Sequence, residues 1–152
     1  MDLFVVDGKP FRAQFFQVVA LILLSIVVGF VIMAFGLTGK SNLLAGRSVS
    51  FVFFGLIITA SIGYTQYRKK MLEKVFDQPE FDVQLIAYTK VYRVTMAWHL
   101  FSAMLSCLYV ILSYRSNFLL FAFIDLLVML QFYPTQRLFR RELRNQEVIV
   151  HS

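Results

Sequence analysis

The chain has 152 residues, of which 59% are hydrophobic, 16% aromatic and 16% charged. A soluble domain carries about 45–50% apolar and about 25% charged residues, and a core of this size could not hide the excess from water. That argues against a soluble enzyme and a disordered chain, and a single cysteine, Cys107, excludes a disulfide scaffold. The net charge of +6 leaves nucleic acid as a partner to test, so the placement of the basic residues matters.

A bilayer core about 30 Å thick takes about 20 apolar residues in a helix. Pro10 suits the first turn of a helix whose uncharged stretch runs from Phe15 to Leu37. That stretch exceeds the roughly 7–15 apolar residues of a secretory signal, so it reads as a retained span. A second uncharged span is expected over 49–67, a third over 94–112 containing His99, and a shorter fourth over 117–133 containing Asp125. The connector 68–93 continues helix two to a break at Asp77-Gln78-Pro79-Glu80. Asp77 and Glu80 there have the spacing of a capping box, which opens a helix running into span three. A last helix is expected over 135–149. The architecture predicted is an all-α, integral-membrane four-helix bundle, one domain with cytoplasmic helical extensions.

Orientation follows from the loops. Lys9, Arg12, Arg68, Lys69, Lys70, Lys74, Lys90, Arg93, Arg137, Arg140, Arg141 and Arg144 fall on one side, against Lys40, Arg47 and Arg115 on the other. Both termini are therefore expected in the cytoplasm, with the protein in the cytoplasmic (inner) membrane. The basic excess becomes a topology signal, and nucleic acid loses its support as a partner. Tyr64, Tyr67, Trp98 and Tyr133 at the inner interface, and Tyr109 and Tyr114 at the outer, read as an aromatic belt.

Of the nine acids, Asp125 alone lies inside a span, where an exposed charge costs several kcal/mol. Span three offers donors in a polar seam: Thr95, His99, Ser102, Ser106, Tyr109 and Ser113. Counting outward from a turn near Arg115 places Ser102 and Ser106 within reach of Asp125 and pairs His99 with Gln131. Two readings stay open. Asp125 is either a proton or cation site, or a hydrogen-bonded group that holds helices together. Arg137, Arg140, Arg141 and Arg144 fall at i, i+3, i+4 and i+7, one face of the expected last helix. That stripe suits anionic phospholipid headgroups, an acidic partner, or plain positive-inside anchoring.

Gly55, Thr59 and Gly63 on span two, and Ser25 and Gly29 on span one, repeat at i+4. Small residues at that spacing let helices approach closely, within the bundle or between copies. Phe51, Phe54 and Ile57 also echo Phe118, Phe121 and Ile124, as in two parallel repeats. No HExxH, Cys/His cluster, P-loop or GxSxG motif occurs, so no metal, cofactor or catalytic residue is expected. The expected function is non-enzymatic: a helix-packing or partner-docking membrane module, as a homo-oligomer or with another membrane protein. The alternative is a small transporter or channel component using Asp125.

The last 65 or so residues carry Arg93 before span three, Asn117 before span four, and Pro134-Thr135 followed by basic residues and Leu143. In these the chain resembles a family of small four-span membrane proteins frequent in Bacteroidota. Members often have an acidic residue and glycine early in span three, where this chain has Trp98-His99. The resemblance implies an inner-membrane protein and brings no catalytic residues.

Overall fold

The computed structural model describes residues 4–36, 47–113 and 115–151. Residues 37–46, which include the end of the first expected span and Lys40, and Tyr114 of the aromatic belt lie outside the described residues. The elements in order are β1 (Phe4–Asp7), α1 (Lys9–Ala34), α2 (Arg47–Phe76), α3 (Phe81–Ser113), a 3-10 turn (Ser116–Phe118), α4 (Leu119–Leu130), α5 (Gln136–Glu142) and β2 (Val148–His151).

α1 starts after Gly8 with Pro10 in its first turn, where the missing N–H leaves no helical bond unmade. It buries Phe11, Phe15, Val18, Ile22, Ile26 and Gly29, one stripe at steps of three and four. Gly36, at φ +61°, closes the helix, with its N–H donated to Met33 O at 3.2 Å. α3 is the hub of the bundle. It packs on α1, α2 and α4, and α1 also meets α4, whereas the main helix neighbour of α2 is α3. The α2–α3 break falls at Asp77–Glu80 as expected, but not as a capping box: Asp77 N–H donates back to Glu73 O at the end of α2, and α3 opens at Phe81 with Gln84 N–H donating to Glu80 O.

Lys9–Ala34, Ser48–Phe76 and Phe81–Ser113 are long and apolar enough to cross a membrane. The fourth apolar helix is shorter than expected. Ser116–Leu130 gives way to successive i→i+3 bonds from Gln131, Phe132 and Tyr133, and Pro134 then ends the run. The echo between the second and fourth apolar segments therefore does not extend to their lengths, 30 residues in α2 against 12 in α4. Large apolar side chains remain exposed on the outer faces, among them Phe30, Phe51, Leu56, Phe101 and Leu127. Apolar surface of this extent marks contact with lipid or a partner.

The tail departs from expectation. The helix expected over 135–149 stops at Glu142, and Arg144 takes a left-handed conformation at φ +51°. Val148–His151 then forms a strand parallel to Phe4–Asp7, with Phe4 opposite Val148 and Asp7 opposite His151. The run Val148-Ile149-Val150 is β-branched throughout and favours a strand over a helix. This clasp joins residues 4–7 to 148–151, and Val6, Leu138, Phe139, Leu143 and Val148 belong to the same hydrophobic core as Phe11, Val75, Tyr88 and Tyr92 of the long helices. Phe11 meets Tyr92 and Phe139 edge-on at 5.1 and 5.0 Å.

Candidate functional site

The α3–α4 pairing brings Asp125 against the polar seam. Ser102 Oγ donates to Asp125 Oδ2 at 2.7 Å, and His99 Nδ1 lies 3.2 Å from Oδ1. His99 is 5% exposed, and the Asp125 side chain 17%. Two expectations need correction. Ser106 does not reach the carboxyl group, because its hydroxyl donates to Ser102 O at 2.9 Å. His99 pairs with Asp125 and not with Gln131, which is exposed beyond the end of α4. Part of the reason is the 3-10 turn Ser116–Phe118. Its rise of about 2.0 Å per residue, against about 1.5 Å in an α-helix, carries Asp125 farther from the turn than uniform counting allows. His99 Nε2 is buried without a hydrogen-bond partner among the described residues.

Asp125 and His99 line a cleft of about 550 Å³ between α2, α3 and α4, together with Tyr64, Arg68, Lys69 and Trp98. Tyr64 stacks on Trp98 with ring centroids 4.8 Å apart and planes 6° from parallel, forming one wall. Arg68 crosses one end. Its Nε donates to Thr95 Oγ1 at 3.1 Å, its Nη2 bonds Glu142 Oε2, and its Cζ sits 4.8 Å over the Phe132 ring. Arg141 Nη2 takes the other carboxylate oxygen of Glu142 at 3.1 Å. Two guanidinium groups thus offset the cost of burying Glu142, which is 7% exposed.

Arg68, Thr95 and Glu142 form the part of the site that sequence spacing does not join. Thr95 belongs to the seam, yet Arg68 reads as one of twelve topological charges, and Glu142 lies 74 residues from it. The available signal was a lone Glu flanked by Arg140, Arg141 and Arg144.

No known protein family, curated protein or solved structure matches this chain. That brings no support to the likeness expected from Arg93, Asn117, Pro134, Thr135 and Leu143. Among them, Pro134 is buried and Thr135 caps α5, its Oγ1 accepting from Leu138 N–H at 3.2 Å. Among the described residues no three His, Cys, Asp or Glu side chains gather as a metal site would require.

The four arginines do not share a helical face. Arg137, Arg140 and Arg141 lie on α5 and line a second cleft of about 620 Å³ with Gln136 and Gln146. Arg144 lies past the helix end, with its Cζ 4.0 Å over the Phe76 ring. The short helix and the left-handed turn remove it from the stripe.

The two small-residue motifs behave differently. Gly29 is packed: a Cβ there would meet Leu119 Cδ2 at 3.5 Å and Cys107 Cβ at 3.8 Å. Gly55, Thr59 and Gly63 are exposed, and a Cβ on either glycine would meet nothing within 4 Å. At 100° per residue this face is roughly 140–160° around α2 from Ile57 and Tyr64, which turn toward α3.

Proposed function

We propose that the chain is a non-enzymatic, multi-pass protein of the cytoplasmic membrane with both termini inside. In this reading it acts as a helix-packing module: α1, α3 and α4 form its core, and α2 docks a second copy of the chain. The observation that carries the reading is the state of α2. Only 6% of its most apolar window is buried, against 50% for α3. Glycine inside a helix costs about 1 kcal/mol relative to alanine, and lipid contact offers nothing to offset that. Close approach of a second helix does, because small residues let backbones meet. Two copies of the stripe are self-complementary about a two-fold axis, the commonest oligomer symmetry.

Cysteine crosslinking in native membranes tests this. In a Cys107→Ala background, Thr59→Cys should form a disulfide-linked dimer. Ile58→Cys, exposed but about 100° away around the helix, should not. Equal crosslinking at both positions, or none at Thr59, refutes the proposal.

The cleft reaching Asp125 favours a second reading: a transporter or channel component that moves protons, cations or a small solute. The Ser102 and His99 contacts would then be the loaded site, and Lys69 the charge at the cleft wall. Flux into liposomes that Asp125→Asn abolishes supports it, and flux that Asp125→Asn leaves unchanged removes it.

A further inference from the structure

We propose that the cleft lined by Arg137, Arg140 and Arg141 is a binding site for a phosphate-bearing anion. Its volume, about 620 Å³, falls in the range of small-ligand sites, and it is lined by three arginines and two glutamines, whose aliphatic stems and polar heads both contribute. The acids of the tail, Glu142 and Glu147, are not among the lining residues. Guanidinium forks match phosphate oxygens in bidentate pairs, which a plain topological charge does not require.

The cleft is also held in shape. Gln136 Nε2 and Arg140 Nε both donate to Val148 O at 3.1 Å, fixing two lining side chains to β2, which β1 holds in turn. Arg140 spends only its Nε on this contact. Arg141 contributes a side chain that is 61% exposed and shares Glu142 with Arg68. Arg137 is exposed and makes no ion pair or hydrogen bond among the described residues, so its donors face no competing protein group. A purely electrostatic anchor would use Arg144 as well as the other three. In this chain Arg144 lies on Phe76 instead. The anion bridges side chains tied to Val148, so its binding stabilises the clasp between the chain ends by mass action.

Such an anion has two sources, a phosphomonoester lipid headgroup or a soluble phosphate compound. Only the lipid source rests on the membrane reading above. The test uses the full chain with two probes. One is inorganic pyrophosphate, titrated by calorimetry into the protein in non-ionic detergent. The other is phosphatidic acid in phosphatidylcholine nanodiscs, with lipid retention read by native mass spectrometry. Saturable binding of pyrophosphate assigns a soluble ligand. Retention of phosphatidic acid without pyrophosphate binding assigns the lipid headgroup.

In either case Arg137→Gln and Arg141→Gln should each weaken binding about 10-fold, the scale of one lost charge-assisted contact. Arg144→Asn removes the same charge at a position where Asn tolerates the left-handed backbone, and it should change binding by less than about 2-fold. Arg137→Gln breaks no hydrogen bond or ion pair among the described residues and keeps a polar side chain of similar reach, so the fold should be retained. Failure of both probes to bind saturably overturns the proposal. So does an Arg144→Asn loss as large as that of Arg137→Gln, because binding would then follow net charge and not the cleft.

Discussion

Removing the Asp125 carboxyl group, with Ser102 as its test partner, probes the polar centre most sharply. The side chain accepts from Ser102 at 2.7 Å and faces His99 Nδ1 at 3.2 Å, with 17% of its surface exposed. Interhelical hydrogen bonds in membrane proteins contribute about 0.6 kcal/mol on average and up to about 1.7 kcal/mol. The short Ser102 contact belongs near the upper end of that range. Asp125→Ala also strands a histidine nitrogen on a ring that is 5% exposed, and an unsatisfied buried donor costs about 1–3 kcal/mol. The single variant should therefore lose about 2–4 kcal/mol. Ser102→Ala should lose about 1–2 kcal/mol, and the double variant less than the two singles combined, with a coupling of about 1 kcal/mol. Reversible unfolding in mixed detergent micelles, followed by circular dichroism, measures all three. Additivity within about 0.3 kcal/mol would refute the claim that this pair ties α3 to α4.

Other parts of the fold make separate claims. Glu142→Gln leaves Arg68 and Arg141 without their shared carboxylate and should destabilise the protein by about 2–3 kcal/mol, somewhat less than a fully buried pair because Arg68 retains 18% exposure. An unchanged unfolding midpoint would contradict that network. Gly29→Ala should be tolerated, since its Cβ would find ordinary contacts at 3.5 and 3.8 Å, whereas Gly29→Leu should cost about 1–3 kcal/mol by overpacking against Leu119 and Cys107. Comparing the thermal midpoints of the two variants decides this. Burial holds the phenols of Tyr88 and Tyr92 well above their ordinary value. Folded pKa values above the unfolded ones mean stability that is complete below about pH 10 and lost as pH rises past it. Tyr88→Phe should weaken that alkaline dependence, and an unchanged profile would remove the cause.

Local patterns carried much of this fold into view. The helix that opens with Pro10 in its first turn and the break at Asp77–Glu80 depend on near neighbours in the chain, and both stand where the sequence places them. Asp125 was legible as well, because one acid in an apolar run must find donors, and α3 supplies Ser102. The register between helices was less legible. Ser102 was expected beside Asp125 and is there, but Ser106 is not and His99 is, and the extra rise of the 3-10 turn after Arg115 is a register effect that side-chain periodicity does not encode. The tail was misread for a related reason. Arginines at helical spacing suggested one long helix, but Val148–Val150 pairs with Phe4–Val6, more than 140 residues away in the chain. The Arg68–Glu142 pair likewise depends on α2 and α5 arriving at the same place.

The proposed dimer has α2 presenting its small-residue stripe to a second copy. The most direct measurement is the mass of the protein purified in mild detergent, by light scattering corrected for bound detergent. A dimer is expected for the native chain and a monomer for the Gly55→Leu/Gly63→Leu variant, in which a Cβ at either position meets nothing within 4 Å in the single chain. A native monomer at all concentrations, or a dimer that survives both substitutions, would contradict it.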